Sequence, residues 1–176
     1  EIGCHTFSHV LFDDPRVSRE IAAAELEAAI AAGDSAGIRY DSFVFPRNAV
    51  GYRDLLAEFG FSCYRSAATV PASGLGRATA KLLTAVDPTR VDLVEPTVDE
   101  YGLVDVPPSL FLFGFEGRPR SVAESIGVDP IVRQAKSAID RASQGDGVFH
   151  MWLHPNNLQS ERDVRRMRSI VAYAAT

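Results

Sequence analysis

The sequence predicts an α/β fold built on parallel strands, and three observations carry that expectation. Short apolar runs alternate along the chain with amphipathic stretches, which is the pattern of βα repetition rather than of a sandwich or a helix bundle. Chemically capable residues gather where the apolar runs stop: His5 and His9 follow the first, Pro46, Arg47 and Asn48 the second, and His154, Asn156 and Asn157 the last. The 176 residues are 46% apolar and contain no Pro/Gly/Ser linker, so residues 1–176 are read as one domain, or part of one, with a single sizeable core.

The elements follow in order. Ile2, Gly3 and Cys4 read as the edge of a strand. Ser18 can cap a helix through Ile21, Leu26, Ala29 and Ile30, with Gly33 just past its end. "DSFVFP" is a buried-strand run of Phe43, Val44 and Phe45 stopped by Pro46. "YRDLLAEFG" is a short helix closed by Gly60, and "FSCYRS" another strand. From Ala67 to Asp99 only weak helical character shows, around Thr79 to Val86. "GLVDVPPSLFLF" is extended but interrupted by Pro107 and Pro108, which places an end or an edge there. Asp129 to Ala142 is helical, with Ile131, Ala135, Ala138 and Ile139 on one stripe. "GVFHMWLHP" is the last strand, and Ser160 with Asp163 opens a final helix.

The net charge of −5 argues against a nucleic-acid partner, because neutralising phosphates needs clustered Lys and Arg. The one basic cluster, Arg162, Arg165, Arg166 and Arg168, is interleaved with Val164, Met167 and Val171 at helical spacing and reads as a solvated face. No apolar run approaches the ~20 residues of a transmembrane helix. Cys4 and Cys63 are too few for a disulfide framework. No leader peptide is visible and the residues assign no compartment.

His5 and His9 are the chemical signal. Imidazole nitrogens bind Zn²⁺ and similar divalent ions, and positions i and i+4 share one face of a helical turn. The pair lacks the Glu of the H-E-x-x-H signature. "EIGCHTFSH" resembles the H-[ST]-x-x-H metal-binding motif of the polysaccharide deacetylases, the NodB-like carbohydrate esterases of family 4. "FVFPRN" resembles that family's third motif and "HMWLHPNNL" its last, in the family's order, from Glu1 to about Leu158.

The resemblance implies an incomplete distorted (β/α)7 TIM-like barrel of the glycoside hydrolase/deacetylase type, lacking its first βα units and the T-F-D-[DE] motif that supplies the catalytic base and third metal ligand. It implies an enzyme that removes N-acetyl groups from a carbohydrate by hydrolysing a non-peptide C–N bond, with these residues alone inactive. His5 and His9 would hold a divalent metal, Zn²⁺ first among candidates. The N–H of Arg47 would donate to the oxyanion, His154 would protonate the leaving amine, and Pro46, Asn48 and Trp152 would line the pocket of an N-acetylated sugar. His150 shares the face of His154 and Trp152 by strand alternation and reads as an interior histidine.

Three departures from the family accompany this. Cys4 stands where Asn is usual, as a possible ligand or, in preference, a small buried side chain. Val44 stands where an Arg usually precedes the Pro by two residues, with Arg47 the nearest substitute. Asp105 is a weak match to the acid that supports the last-motif histidine, and a solvent-exposed loop acid is the plainer reading. Two rivals are kept: a non-catalytic sugar- or metal-binding relative of the same fold, and a structural zinc module closed by Cys4, His5, His9 and Cys63.

Overall fold

The computed structural model describes residues 2–67, 87, 89, 91–114, 116–125, 127–145 and 147–176. The fold is mixed α/β, with five α-helices and two small sheets among the described residues, neither sheet closed into a barrel. Two compact units are distinguished, Glu1–Thr69 with Pro96–Pro107, and Val70–Glu95 with Pro108–Thr176. The helical character read around Thr79 to Val86 lies outside the described residues.

In the first unit, α1 (Arg19–Ser35) begins as its sequence dictates, with the Ser18 side chain accepting the Ile21 N–H. It buries Ala22, Leu26, Ala29 and Gly33. Gly33 is therefore inside the last turn, not past it. A Cβ there would meet the Tyr40 ring at 2.6 Å and the Ile38 carbonyl at 2.9 Å, so this glycine serves close approach. The helix is stopped by Gly37, whose φ of +69° turns the chain while its N–H returns to Asp34.

The sheet of this unit contains β1 (Ser42–Val44), β2 (Cys63–Arg65), β3 (Thr97–Val98) and β4 (Val104–Asp105) in the order β1-β2-β4-β3. β1 and β4 both run parallel to β2, and β3 is antiparallel to β4. Cys4 forms a further parallel bridge to Phe43, sealed by Cys4 N to Ser42 O and Val44 N to Cys4 O, each 2.8 Å. Helix α2 (Arg53–Glu58) joins β1 to β2. The core is aromatic: Phe43 lies 4.8 Å from Phe45, 5.5 Å from Phe61 and 5.7 Å from Phe12, ring centre to ring centre. Burying each such ring is worth about 1.5–3 kcal/mol, which makes this cluster the anchor of the unit. All the parallel strands end at the same edge of the sheet, and the candidate site is built there.

In the second unit, β5 (Leu110–Phe111) pairs in parallel with β6 (Met151–Trp152). Helices α3 (Arg118–Ser125), α4 (Pro130–Ser143) and α5 (Glu161–Ala174) complete it. Asp129 caps α4 by accepting the N–H groups of Ile131 and Val132, and Ser160 caps α5 through Asp163. Leu112, Ile131, Ala135 and Ile170 form the core. The last strand is shorter than "GVFHMWLHP" implies. Val148 bridges Val94 in the antiparallel sense, β6 is two residues long, and Pro155, which has no N–H to donate, opens a 3₁₀ turn (Pro155–Asn157).

The basic cluster of α5 is not a uniformly solvated face. Arg166 turns inward with its side chain 1% exposed, donating to the Leu112 carbonyl at 2.9 Å and to Asp129 at 2.7 Å. Arg120 from α3 is likewise buried and reaches Glu116, Glu124 and Asp163. Buried guanidinium groups persist because each has several carboxylate partners; removing one partner of such a pair typically costs about 3–5 kcal/mol.

Candidate functional site

The His5–His9 segment is not helical. It leaves the sheet at Cys4 and bends at Phe7 and Ser8, with left-handed backbone at Thr6 (φ +59°) and His9 (φ +66°). The expected shared helical face is therefore replaced by a bend, which nevertheless brings the two imidazoles together. Their ring centres are 5.1 Å apart, with planes inclined by 77°. Two imidazoles bound to one tetrahedral ion through Zn–N bonds of ~2.0–2.1 Å carry their ring centres about 5 Å apart, so the spacing suits a shared ion.

The tautomer of His5 is set by the fold. Its Nδ1 lies 2.6 Å from the Val44 carbonyl, which only accepts, so Nδ1 carries a proton and Nε2 is the nitrogen that would face a metal ion. The acceptor sits at the end of β1, so the strand itself orients the ring. Thr6 Oγ1, in the bend between the histidines, is a buried hydroxyl without a hydrogen-bond partner among the described residues. Two imidazoles this close offer nitrogen donors of the type a divalent ion takes. Among the described residues, no three of His, Cys, Asp or Glu are grouped as a complete ligand set.

The bend is held from α1. Glu25 accepts the Phe7 N–H at 3.1 Å, the Ser8 N–H at 2.7 Å and the Ser8 hydroxyl at 2.6 Å. A single carboxylate thus satisfies three donors and fixes a segment containing a strained β-branched residue at positive φ. Sequence reading passed over Glu25, although there was a signal: it lies beside the buried stripe of Ala22, Leu26 and Ala29 on α1, where a carboxylate needs a reason.

Cys4 behaves as a small buried side chain, 3% exposed, and burial pushes its thiol pKa up, away from the thiolate a metal requires. It pairs with Phe43, whereas Cys63 pairs with the neighbouring Ser42, so the two sulfurs face opposite sides of the sheet. The four-ligand zinc shell of Cys4, His5, His9 and Cys63 is therefore not formed.

Pro46, Arg47 and Asn48 form a 3₁₀ turn directly after β1. Pro46 is buried, Arg47 exposed, and both Arg47 and Asn48 have positive φ. Bonds from Asn48 N to Phe45 O and from Ala49 N to Pro46 O close the turn, and the Arg47 N–H is not used in either. Arg65, a second residue missed by sequence reading, ends β2 directly opposite Val44 in register and donates to Asn48 Oδ1 at 3.0 Å. Burial holds its guanidinium below the usual range. It is thus Arg65, not the exposed Arg47, that places a half-buried cation beside Val44. Asp105 is not a loop acid: it lies on β4, half-buried, and accepts the Ser66 N–H at 3.2 Å.

In the second unit, Trp152 on β6 lies 4.3 Å from the Phe111 ring and 5.4 Å from that of His154, which meets it edge-on. His154 is exposed, and its backbone is fixed by Asn157, which accepts its N–H at 2.9 Å and donates to its carbonyl at 2.9 Å. His150 is half-buried next to β6, and its carbonyl accepts the Ser109 N–H at 2.8 Å. Among the described residues no helix is long and apolar enough to cross a membrane.

No family model, curated protein or solved structure matches this chain.

Proposed function

We propose that this chain forms part of a metal-dependent hydrolase that removes the acetyl group from an N-acetylated sugar. The observation that carries the reading is the His5–His9 pair, 5.1 Å apart and oriented by the Val44 carbonyl at the end of β1. The incomplete (β/α)7 barrel belongs to the same proposal, and the parallel pairing of β1 with β2, β2 with β4, and β5 with β6 supports it.

In this reading His5 and His9 hold the divalent ion through imidazole nitrogens. When bound, the ion supplies Lewis-acid polarisation of the acetamide carbonyl and a lowered pKa for water. The Arg47 N–H, presented by the Pro46–Asn48 turn, donates a hydrogen bond to the oxygen on which negative charge develops. Pro46 and Asn48 shape that side of the pocket. His154 gives a proton to the departing amine, since an amine leaves poorly without one, and Trp152 offers a flat apolar wall to a sugar ring. The roles of His154 and Trp152 are carried by their motif, "HMWLHPNNL".

The deciding experiment has two arms. Zn²⁺ titration should give one ion per chain, lost in His5→Ala and His9→Ala and kept in His150→Ala. The full-length protein loaded with metal should release acetate from N-acetylglucosamine oligomers, and chelation should stop it. A full-length protein that binds no ion, or release of acetate that is indifferent to both histidines, would refute the reading.

A further inference from the structure

We propose that the second unit carries a binding site for a phosphate-bearing ligand in the groove between α4 and α5, apart from any role of His5 and His9. The groove is a cavity of about 490 Å³. Five cationic side chains line it, Arg133 and Lys136 from α4 and Arg162, Arg165 and Arg166 from α5, against the carboxylates of Glu124 and Asp129.

Those two carboxylates are already committed. Glu124 pairs with Arg120 and Arg162, and Asp129 pairs with Arg166 while capping α4. Arg133 and Arg165 have no carboxylate partner among the described residues, and Lys136 lies 4.7 Å over the Tyr173 ring instead. Three cations thus face one groove without counter-charge, in a chain whose net charge is −5. Like charges gathered in one concavity repel unless an anion joins them, and the potential they raise attracts one.

The donor chemistry points the same way. The Nη2 groups of Arg162 and Arg166, both lining the groove, are buried donors that make no hydrogen bond among the described residues, Arg166 Nη2 having only a 3.9 Å ion-pair contact with Glu124. Guanidinium forks match phosphate oxygens in pairs, and a phosphate dianion supplies both the charge and the acceptors that this set lacks. Val128 and Val132 give the groove an apolar wall, which an organic phosphate ester would contact and inorganic phosphate would not. Both sources share the phosphate recognised by the cations.

Titration calorimetry tests this with inorganic phosphate and with glucose 1-phosphate on the metal-free chain. Saturable binding is expected, weakened at least tenfold in Arg133→Ala/Arg165→Ala, with an unchanged melting temperature because both residues are exposed. Arg165→Gln alone should weaken it less, and Arg168→Ala, a change of equal charge outside the groove, should leave it intact. Tighter binding of the ester than of inorganic phosphate assigns the ligand as a phosphate ester; equal binding assigns the free anion. No saturable binding to either probe, or an equal loss in Arg168→Ala, would overturn the proposal. Metal titration of the first unit is unaffected by these variants, so the two readings fail separately.

Discussion

Glu25 holds Ser8 twice, accepting its N–H at 2.7 Å and its hydroxyl at 2.6 Å, and through Ser8 it holds the bend on which both His5 and His9 are mounted. The relation crosses 17 residues and ties the first helix to the strand edge. Beyond the Val44 carbonyl that orients His5, the histidine pair stands on a bend with two left-handed residues and no regular element beneath it. Its geometry is lent by α1.

It follows that Glu25→Ala should weaken Zn²⁺ binding about 10–100-fold, the usual worth of a residue that orients metal ligands. Glu25→Gln keeps an acceptor oxygen for the Ser8 amide and should recover part of the affinity. Calorimetry on both variants, with circular dichroism to confirm folding, checks this. Equal affinity in all three chains would show that the bend holds itself.

Arg65 and Asn48 give a second test. The guanidinium ties the end of β2 to the turn that follows β1, and a hydrogen bond to a charged group is worth about 1.5–3 kcal/mol. Arg65→Ala should therefore lower the denaturation midpoint by a corresponding amount while leaving Zn²⁺ affinity near that of the parent. A loss of metal with no loss of stability would place Arg65 in the histidine site instead.

Much of the frame was legible because it rests on local rules. Ser18, Asp129 and Ser160 each cap the helix they precede, Phe43 lies in the core, and Pro46 ends its strand. What was not legible depends on contacts between distant residues. The fourfold spacing of His5 and His9 reads as a helical turn, but Glu25 and the positive φ of Thr6 and His9 make it a bend. Arg166 has the local pattern of a solvated residue, yet Asp129, Glu116 and Leu112, 37 to 54 positions away, draw it inside. Helix α3 was missed for the same reason: "RPRSVAES" has little apolar pattern and is held through Arg120.

The Arg120 network gives a pH dependence with a definite sign. Burial, the largest single influence on Glu124 and Asp163, would raise their carboxyl pKa values. Hydrogen bonds from Arg120, with Arg162 for Glu124 and Ser160 for Asp163, outweigh it and leave both lowered. Because folding lowers these values, the folded state binds fewer protons than the unfolded chain across the interval between them. The stabilisation is complete above the unfolded carboxylate range, about 4, and is lost as pH falls through the folded values. The chain should therefore melt at lower temperature at pH 3 than at pH 6. Arg120→Ala should cost about 3–5 kcal/mol at pH 6 and flatten this acid limb. An unchanged limb in that variant would assign the acid sensitivity to other carboxylates, such as Asp99 with Arg53.

The role proposed for His154 makes the sharpest demand. Its backbone is fixed at both N–H and carbonyl by Asn157, and its ring meets Trp152 edge-on at 5.4 Å, so the imidazole has a defined seat while remaining exposed to a ligand. A residue seated this way can deliver a proton without holding a metal. In the full-length protein, His154→Ala should lower acetate release from an N-acetylated sugar by about 10²–10⁴-fold, the usual worth of a positioned acid. Bound metal should be unchanged, since His5 and His9 are untouched. His154→Gln, which keeps a hydrogen-bond donor but cannot give up a proton at neutral pH, should be nearly as impaired. If His154→Gln retained most of the activity, the side chain would be binding substrate, not protonating the amine, and if either variant lost its metal, His154 would belong among the ligands.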